Sequence, residues 1–574
     1  MKIVILSGGN GSKNIQKGIF DTLHKQTIDY TVITNLFDNG LSTGVCRKIY
    51  SNNILGPSDL RKNQLLRHKL IYGETILFKF LEHRVDFDSN EQAIEYILSL
   101  LNDLLNNNSL DKDIYNIFLN CIIDFKNTLI YNNVKENIFK DFSIANIIYS
   151  SLMFTYGITY TVRIMEKCLK IPKGSVVVSS YEPLFLKAIT EKNNIINDEG
   201  DIVKWCNPDD KIIDCFFEKD NKTLFPKASP ESLEVIRNAD IIIFSTGTQW
   251  SSLIPTYKTL GIVDAINNSK AKKYLITNVT QDKDMYGVGL IDYLKTIFMF
   301  LKVDKLNVRL LISKSADSSM NITSNLLYDL SKNFKRVIFD YFGTNTSHDG
   351  FKVINSILRD YYNFSNDEIV FDFDDTLVSR DTRLKEISFE NCYLINKLKN
   401  RNIYICTGNN IKKLIGFFDD IIVYSNRGLD VYKLNRFNYK LIKTLDNKKK
   451  LTDKDVENIV SKIKHYVTED MIDVRDNSII AIKPFIGKER EDLLNILKNV
   501  FLNFDVICAG KTTIEISKKD IQKDIIFSEF SHFNFIGDEF DGNDKSLYCN
   551  KNVNFLKVKD VKDTNIILRV LCNE

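Results

Sequence analysis

Two carboxylates two residues apart, Asp372 and Asp374, stand at the end of an apolar run in Val370-Phe371-Asp372-Phe373-Asp374-Asp375-Thr376-Leu377. The pair suits phosphoryl transfer. Asp372 can attack phosphorus and form an aspartyl-phosphate, while Asp374 protonates the leaving oxygen and later activates water. Later stretches supply what that chemistry lacks. Ile403-Tyr404-Ile405-Cys406-Thr407-Gly408 ends in a hydroxyl able to bond a phosphoryl group, and Lys523 offers a cation for developing charge. Phe535-Ile536-Gly537-Asp538-Glu539, with Asp541 to Asp544 behind it, ends in acids fit to hold Mg²⁺. A lone aspartate pair at a strand-to-turn junction is equally explained by capping. Four elements in this order favour the catalytic reading.

A second candidate is built of small residues. Ser7-Gly8-Gly9-Asn10-Gly11-Ser12 follows the apolar run Lys2 to Leu6, where backbone can approach a phosphate and the next helix adds its dipole. A plain tight turn fits the loop alone equally well, since it lacks the P-loop Lys-Ser/Thr and the G-x-G-x-x-G spacing. Its context strengthens the first reading. Asp38-Asn39-Gly40-Leu41-Ser42-Thr43-Gly44-Val45-Cys46-Arg47 and Gly56-Pro57-Ser58-Asp59-Leu60-Arg61-Lys62-Asn63 each couple Gly or Ser with Asp and Arg, a mixture able to bind a diphosphate and its metal or ribose. Asp59 and Arg61 could instead form a structural ion pair within a turn.

Both loops require parallel sheets to position them. Apolar strands at Lys2 to Leu6, Tyr30 to Asn35, Ser175 to Val178, Ala239 to Phe244, Lys273 to Asn278 and Val308 to Ser313 alternate with helical patterns, as do Glu368 to Phe371 and the strands after it. The fold class is therefore α/β, in two units. Ile94, Ile97, Leu98, Leu101, Leu104 and Leu105 recur at three and four, which predicts a helical insertion over about 78–142. A boundary near Tyr362 to Asp367 gives domains of 1–362 and 363–574. The interval between Thr407 and Lys523 exceeds what a βα unit needs, so a cap is expected at about 429–517, with Lys483 and Lys511 as candidates for substrate contact.

The second half closely resembles the haloacid dehalogenase superfamily of phosphohydrolases. Its ordered motifs are DxDx[TV], a strand-end Thr/Ser, a Lys and GDxxND-like acids. The resemblance implies a Rossmannoid core and makes Asp372 the nucleophile, Asp374 the acid/base, Thr407 and Lys523 the phosphoryl clamps, and Asp372, Asp374, Asp538 and Asp544 the acids around Mg²⁺. GDEFDGND departs in length from the common form, which leaves Asp541, Asn543 and Asp544 open. Ser425 to Tyr432 and Ala509 to Ile516 look like the cap boundaries of the sugar-phosphatase and phosphomannomutase-like branch.

The first ~345 residues resemble the family of 2-phospho-L-lactate transferase and the gluconeogenesis factors, with motifs GGTG, DDGGSSGxLR and PPGDLRN. Phe142 to Asn146 stands where that family has an HSLGN-like helix start, Ser245 to Pro255 in the place of GPGSLYTSILP, and Thr277 to Gln281 matches NVMTQ. Asn10, Asn39, Ser58 and Phe142 depart from it. The resemblance implies a Rossmann-like domain that binds a nucleoside-diphosphate-linked small molecule, UDP-sugar-like or GDP-linked, and transfers a phosphorylated group to a hydroxyl with release of a nucleoside monophosphate. It places the diphosphate near Gly8, Gly9, Asn10, Gly11, Gly247, Thr248 and Ser251, with Asp38, Ser42, Asp59, Arg61, Asn146 and Asn278 as further ligand or metal candidates.

Composition excludes other classes. With 77 basic and 74 acidic residues in 574, net charge +3, no global field attracts nucleic acid or a membrane surface. The ten cysteines show no CxxC pair, and the N-terminal apolar run is too short for a secretory signal, so reduced thiols in a cytosolic protein are expected. A bifunctional enzyme follows, with a phosphorylated small metabolite as the second domain's substrate. The alternatives are a nucleotide-sugar sensor regulating the hydrolase, or a phosphomutase in the second domain. Members of the first family often self-associate, which leaves the oligomeric state open.

Overall fold

Ile3-Val4-Ile5-Leu6 and Ile241-Ile242-Ile243-Phe244 are apolar without alternation, the pattern of strands covered on both faces. The structure, a computed structural model, places these two runs side by side at the centre of a parallel sheet. It describes residues 1–23, 29–107, 109–363, 368–398, 401–483, 488–509, 512–538, 545–548 and 552–572. The chain divides into two units, Met1–Ile357 and Leu358–Glu574.

In the first unit, β1 (Lys2–Leu6), β2 (Asp29–Thr34), β3 (Val176–Val178), β4 (Ile241–Phe244), β5 (Lys272–Ile276), β6 (Val308–Ser313) and β7 (Arg336–Asp340) form one sheet. Its order is β7-β6-β5-β4-β1-β2-β3, and every pair is parallel. The strand order reverses between β1 and β4, so the crevice for a ligand opens at their carboxyl ends. The edge strand β7, half-exposed along most of its length, was not foreseen from its sequence.

Three helices follow the first two strands: α1 (Lys13–Leu23) after β1, then α2 (Leu41–Ile49) and α3 (Ser58–Tyr72) after β2. The segment expected to be a helical insertion holds α4 (Ile76–Glu82), α5 (Asn90–Asn106) and α6 (Lys112–Tyr131). These helices share a core with α7 (Ile144–Cys168), in which Ile94, Ile97, Leu101, Phe118 and Phe125 are buried. A small antiparallel sheet of Phe185–Thr190, Ile195–Ile196, Ile212–Lys219 and Lys222–Leu224 carries the short helix Glu199–Lys204.

In the second unit, β8 (Glu368–Phe371), β9 (Ile403–Cys406), β10 (Asp419–Ser425), β11 (Asp430–Asn435), β12 (Asn438–Thr444), β17 (Phe533–Gly537) and β18 (Val553–Lys557) form a sheet in the order β12-β11-β10-β9-β8-β17-β18. Again the order reverses beside the first strand of the unit, here between β8 and β17. A separate antiparallel sheet of β13 (Ile472–Arg475), β14 (Ile479–Ile482), β15 (Asp505–Ala509) and β16 (Thr513–Ser517) is the cap. The hairpin β11–β12, within the range expected for the cap, instead extends the core sheet antiparallel to β10, because Val431, Leu434 and Tyr432 are buried in core clusters.

Candidate functional site

Asp372 leaves β8 at the sheet's carboxyl edge, its N–H still donating to Ile536 O at 2.8 Å. The chain then turns tightly: Leu377 and Val378 both donate to Phe373 O at 3.0 Å, and Asp375 takes φ +53°, which a short polar side chain tolerates. This turn lets Asp372 and Asp374 line one cavity of about 300 Å³ together with Thr407, Lys523 and Asp538. The four foreseen motifs thus meet at the switch point.

Lys523 Nζ donates to Asp372 Oδ1 at 2.7 Å, with the ammonium 1% and the carboxylate 13% exposed. The bond holds the Asp372 carboxylate aimed beside Lys523. On the other acid, Asn409 Nδ2 donates to Asp374 Oδ2 at 2.5 Å, and Arg380 Nη2 stands 3.5 Å from the same oxygen. Thr407 Oγ1 accepts from Asn409 N at 3.1 Å, which fixes the hydroxyl beside the cavity. Thr376 Oγ1 donates to Asp538 Oδ1 at 3.4 Å.

Among the described residues no three His, Cys, Asp or Glu side chains stand together as a metal cluster. The donors nevertheless suit Mg²⁺, which is commonly held by one or two carboxylates, several waters and substrate phosphate oxygens. Asp372 and Asp538, at the ends of adjacent strands, would be those carboxylates. Asp544, Asp541, Asn543 and Lys511 lie outside the described residues.

Four residues that the sequence reading missed also line this cavity: Arg380, Asn409, Lys413 and Arg475. Lys413 Nζ donates to Asn409 Oδ1 at 2.6 Å, and burial first, then the nearby cations Lys483, Arg475 and Arg380, push its pKa down, against the pull of Asp374. Arg475, on cap strand β13, donates to Gly408 O at 2.9 Å and to Glu515 Oε1 at 2.7 Å. Glu515 on β16 also receives Arg427, so two guanidiniums hold one buried carboxylate between cap and core. Lys483, foreseen as a cap contact, lines the cavity and donates to Asp473 Oδ2 at 3.3 Å.

In the first unit, Gly8, Gly9, Asn10, Gly11, Asp38, Ser42, Asp59, Arg61, Gly247 and Thr248 line a single cavity of about 650 Å³. Gly11 is required there, since a Cβ would meet Thr246 O at 2.2 Å. Gly247 takes φ +136°, which side chains rarely adopt. Ser251, Asn146 and Asn278 stand one layer behind. The π-helical turn Gln249–Leu253 turns Ser252 to the cavity and leaves Ser251 donating to Thr248 Oγ1 at 2.7 Å. Asn278 Oδ1 accepts from Gly247 N at 3.1 Å, and Asn146 Oδ1 accepts from Arg61 Nε at 2.7 Å. The Asp59–Arg61 pair is not formed: Arg61 pairs with Glu82 at 2.6 Å, and Asp59 with Lys62 at 3.5 Å.

Glu199 and Asp282 were missed as lining residues. Asn39, where the resembled motif has an acid, accepts from Glu199 N at 2.8 Å and so seats the helix Glu199–Lys204. Glu199 then lies against Asp38 and Asp59. Burial first, then the charges of Asp38 and Asp59, push its pKa up. An acid absent at position 39 is thereby supplied from 160 residues away, a distance that no local motif spans. Arg47, fully buried, donates to Phe37 O, Asp38 O and Leu184 O and holds the Asp38 loop in place.

The geometry defines two α/β units, each with its site at a switch point. The chain belongs to the 2-phospho-L-lactate transferase CofD family, whose model matches residues 3–356. A gluconeogenesis factor of Listeria innocua is 23% identical over 297 residues, 52% of this chain and 72% of that protein. A crystal structure from Bacillus halodurans is similar at TM-score 0.45 and 22% identity over 62% of this chain and 98% of that one. For the second unit, an IMP-nucleotidase structure of Plasmodium falciparum is similar at TM-score 0.27 and 19% identity, covering 38% of this chain and 75% of that one. No helix among the described residues is long and apolar enough to cross a membrane.

Proposed function

We propose that the second unit is a Mg²⁺-dependent phosphomonoesterase acting through an aspartyl-phosphate on a small-metabolite phosphate. The observation that carries this is the pairing of Asp372 with the buried Lys523 inside a cavity that Asp374 shares. Asp372 Oδ attacks phosphorus as the ester P–O bond breaks, and Asp374 gives its proton to the departing oxygen. Water then attacks the aspartyl-phosphate, returning a proton to Asp374, and inorganic phosphate leaves with Asp372 regenerated. Lys523 and Thr407 hold the phosphoryl oxygens, and the cap excludes bulk water. Mg²⁺ at Asp372 and Asp538 would neutralise charge on the phosphoryl group. Asp372→Asn is expected to abolish Mg²⁺-dependent phosphate release from a panel of sugar and polyol phosphates; undiminished release sinks the assignment.

The first unit, in the same proposal, binds a nucleoside-diphosphate-linked donor, with the diphosphate over Gly8 to Gly11 and Gly247. Support comes from the cavity of about 650 Å³ at the carboxyl ends of β1 and β4 and from family membership. It transfers a phosphorylated group to a hydroxyl acceptor and releases nucleoside monophosphate. One observation favours a sensor instead: Phe142, where the resembled motif has His, is buried among Phe125 and Phe139 and offers the cavity no polar group. Incubation with nucleoside-diphosphate donors separates the two, since a transferase releases nucleoside monophosphate and a sensor binds without turnover.

A further inference from the structure

We infer that the second unit's cavity carries a subsite for a second anion, formed by Lys413, Lys483 and Arg380, and that its substrate is a phosphomonoester bearing another anionic group. The inference rests on the hydrolase reading and names the substrate class of that site.

Position is the first argument. Asn409 bridges two groups with one amide, its nitrogen on Asp374 and its oxygen on Lys413 Nζ at 2.6 Å. Arg380 stands 3.5 Å from the same Asp374 oxygen. Both cations therefore flank the acid that serves the leaving group, whereas Lys523 flanks the nucleophile. Whatever is attached to the departing oxygen passes Lys413 and Arg380.

Charge is the second. Arg475 is committed, with Glu515, Asp473 and Gly408 O as partners. Lys413, by contrast, is an exposed side chain at the cavity's rim, and its described hydrogen bond is to a neutral amide. It faces Arg380 from the loop after Asp374, Arg475 and Lys483 from the cap, and Asp374 from the core. Arg380 already faces Asp374 and Asp375, and Lys483 faces Asp473, so a second substrate anion would join Lys413 directly and gain the two flanking cations at longer range. The volume, about 300 Å³, matches the lower end of small-molecule pockets, roughly 300–1,000 Å³.

Third, the cap supplies Lys483 from the end of β14, and the Arg427–Glu515–Arg475 cluster clamps that cap to the core. The second subsite is thus held at a set distance from the nucleophile, so the spacing of the two anions in the substrate is itself selected.

The test measures binding to the full chain by calorimetry, with Asp372→Asn as host so that turnover does not intervene. Glucose 1,6-bisphosphate is compared with glucose 6-phosphate, and 3-phosphoglycerate with glycerol 3-phosphate, the two pairs separating a second phosphate from a carboxylate. The doubly anionic member of at least one pair is expected to bind about tenfold to a hundredfold tighter. Lys413→Met or Lys483→Met should reduce that preference to near unity, and Lys413→Arg should keep it, with circular dichroism confirming the fold of each. Equal affinity within both pairs, or a preference that survives both Met variants, overturns the subsite. The hydrolase reading fails separately, through native protein that binds these esters yet releases no phosphate.

Discussion

The two sites share a topology and oppose each other in charge. Each lies where strand order reverses beside the first strand of its unit, with a loop after that strand and an acidic or small-residue turn. In the second unit every described acid of the cavity has a cation or hydrogen-bond donor beside it: Lys523 on Asp372, Arg380 and Asn409 on Asp374, Arg427 and Arg475 on Glu515. In the first, Asp38, Asp59 and Glu199 face one another with Lys62 as the near cation; burial and Asp38 raise the Asp59 pKa against the pull of Lys62. One site sets a countercharge or donor against each of these acids. The other gathers carboxyl groups whose mutual repulsion a ligand-borne cation would relieve.

If that contrast is correct, breaking a countercharge in the second unit has the largest effect. Lys523→Met removes the cation that stabilises both Asp372 and the phosphoryl oxygens, and phosphate release should fall by about 10²–10³-fold in kcat. Affinity of the first unit for a nucleoside diphosphate, followed by calorimetry, should be unchanged. A fall below tenfold would show that Lys523 serves packing more than charge. Next in size is Arg475→Ala. It leaves Glu515 buried with Arg427 alone and removes the bond to Gly408 O, for a loss of about 3 kcal/mol from a broken buried pair. Hydrogen exchange in peptides covering Thr513–Ser517 reads it directly, and protection equal to the native chain's contradicts it.

How much of this could be read beforehand divides along the same line. Fold class was legible because buried parallel strands leave unbroken apolar runs and the phosphatase motifs follow strand ends in order. The small antiparallel sheet left no such runs, with Phe185–Thr190 alternating in burial. At the second site the acids and Lys523 were legible, since each ends a strand or sits in a motif. Lys413 and Arg475 were not, because one surface-type Lys among many acquires meaning only when Asn409 and the cap enclose it. At the first site the glycines were legible from their clustering after β1. Ser252 was confused with Ser251, since a π-helical turn shifts which side chain faces the cavity. Glu199 was invisible because it is brought to Asp38 by a tertiary hydrogen bond that its N–H donates to Asn39 Oδ1.

A smaller effect separates the sites from the other side. Gly11→Ala places a Cβ against Thr246 O, and backbone on both sides leaves the loop little room to yield. Binding of a nucleoside diphosphate should weaken by about tenfold or more, in keeping with about 1–3 kcal/mol of local strain. Phosphate release by the second unit should hold at its native rate. Loss of both activities together would mean that the variant unfolds the chain rather than the loop.

The smallest effect is a difference in pH dependence. Asp284 in the first unit accepts from Trp250 N at 2.9 Å, while its Oδ1 is buried with no described partner. Burial, and then the charge of Asp282, raise its pKa from 3.8 to about 8. The folded chain therefore holds a proton that the unfolded chain has lost across that interval. The contribution to stability is greatest below 3.8 and declines as pH rises to about 8. In the second unit Asp473 moves the opposite way: burial is outweighed by Arg475 and Lys483, its pKa falls below 3.8, and its contribution is kept at neutral pH and lost only in acid. Hydrogen exchange corrected for intrinsic rates should show protection of Gln249–Leu253 declining from pH 5 to pH 8 by about 1 kcal/mol or more, as a one-unit pKa difference alone requires. Peptides of β13 and β14 should stay level over the same range. Asp284→Asn, which cannot ionise, should flatten the first curve and leave the second unchanged; a slope that persists in Asp284→Asn would assign the pH dependence to another group.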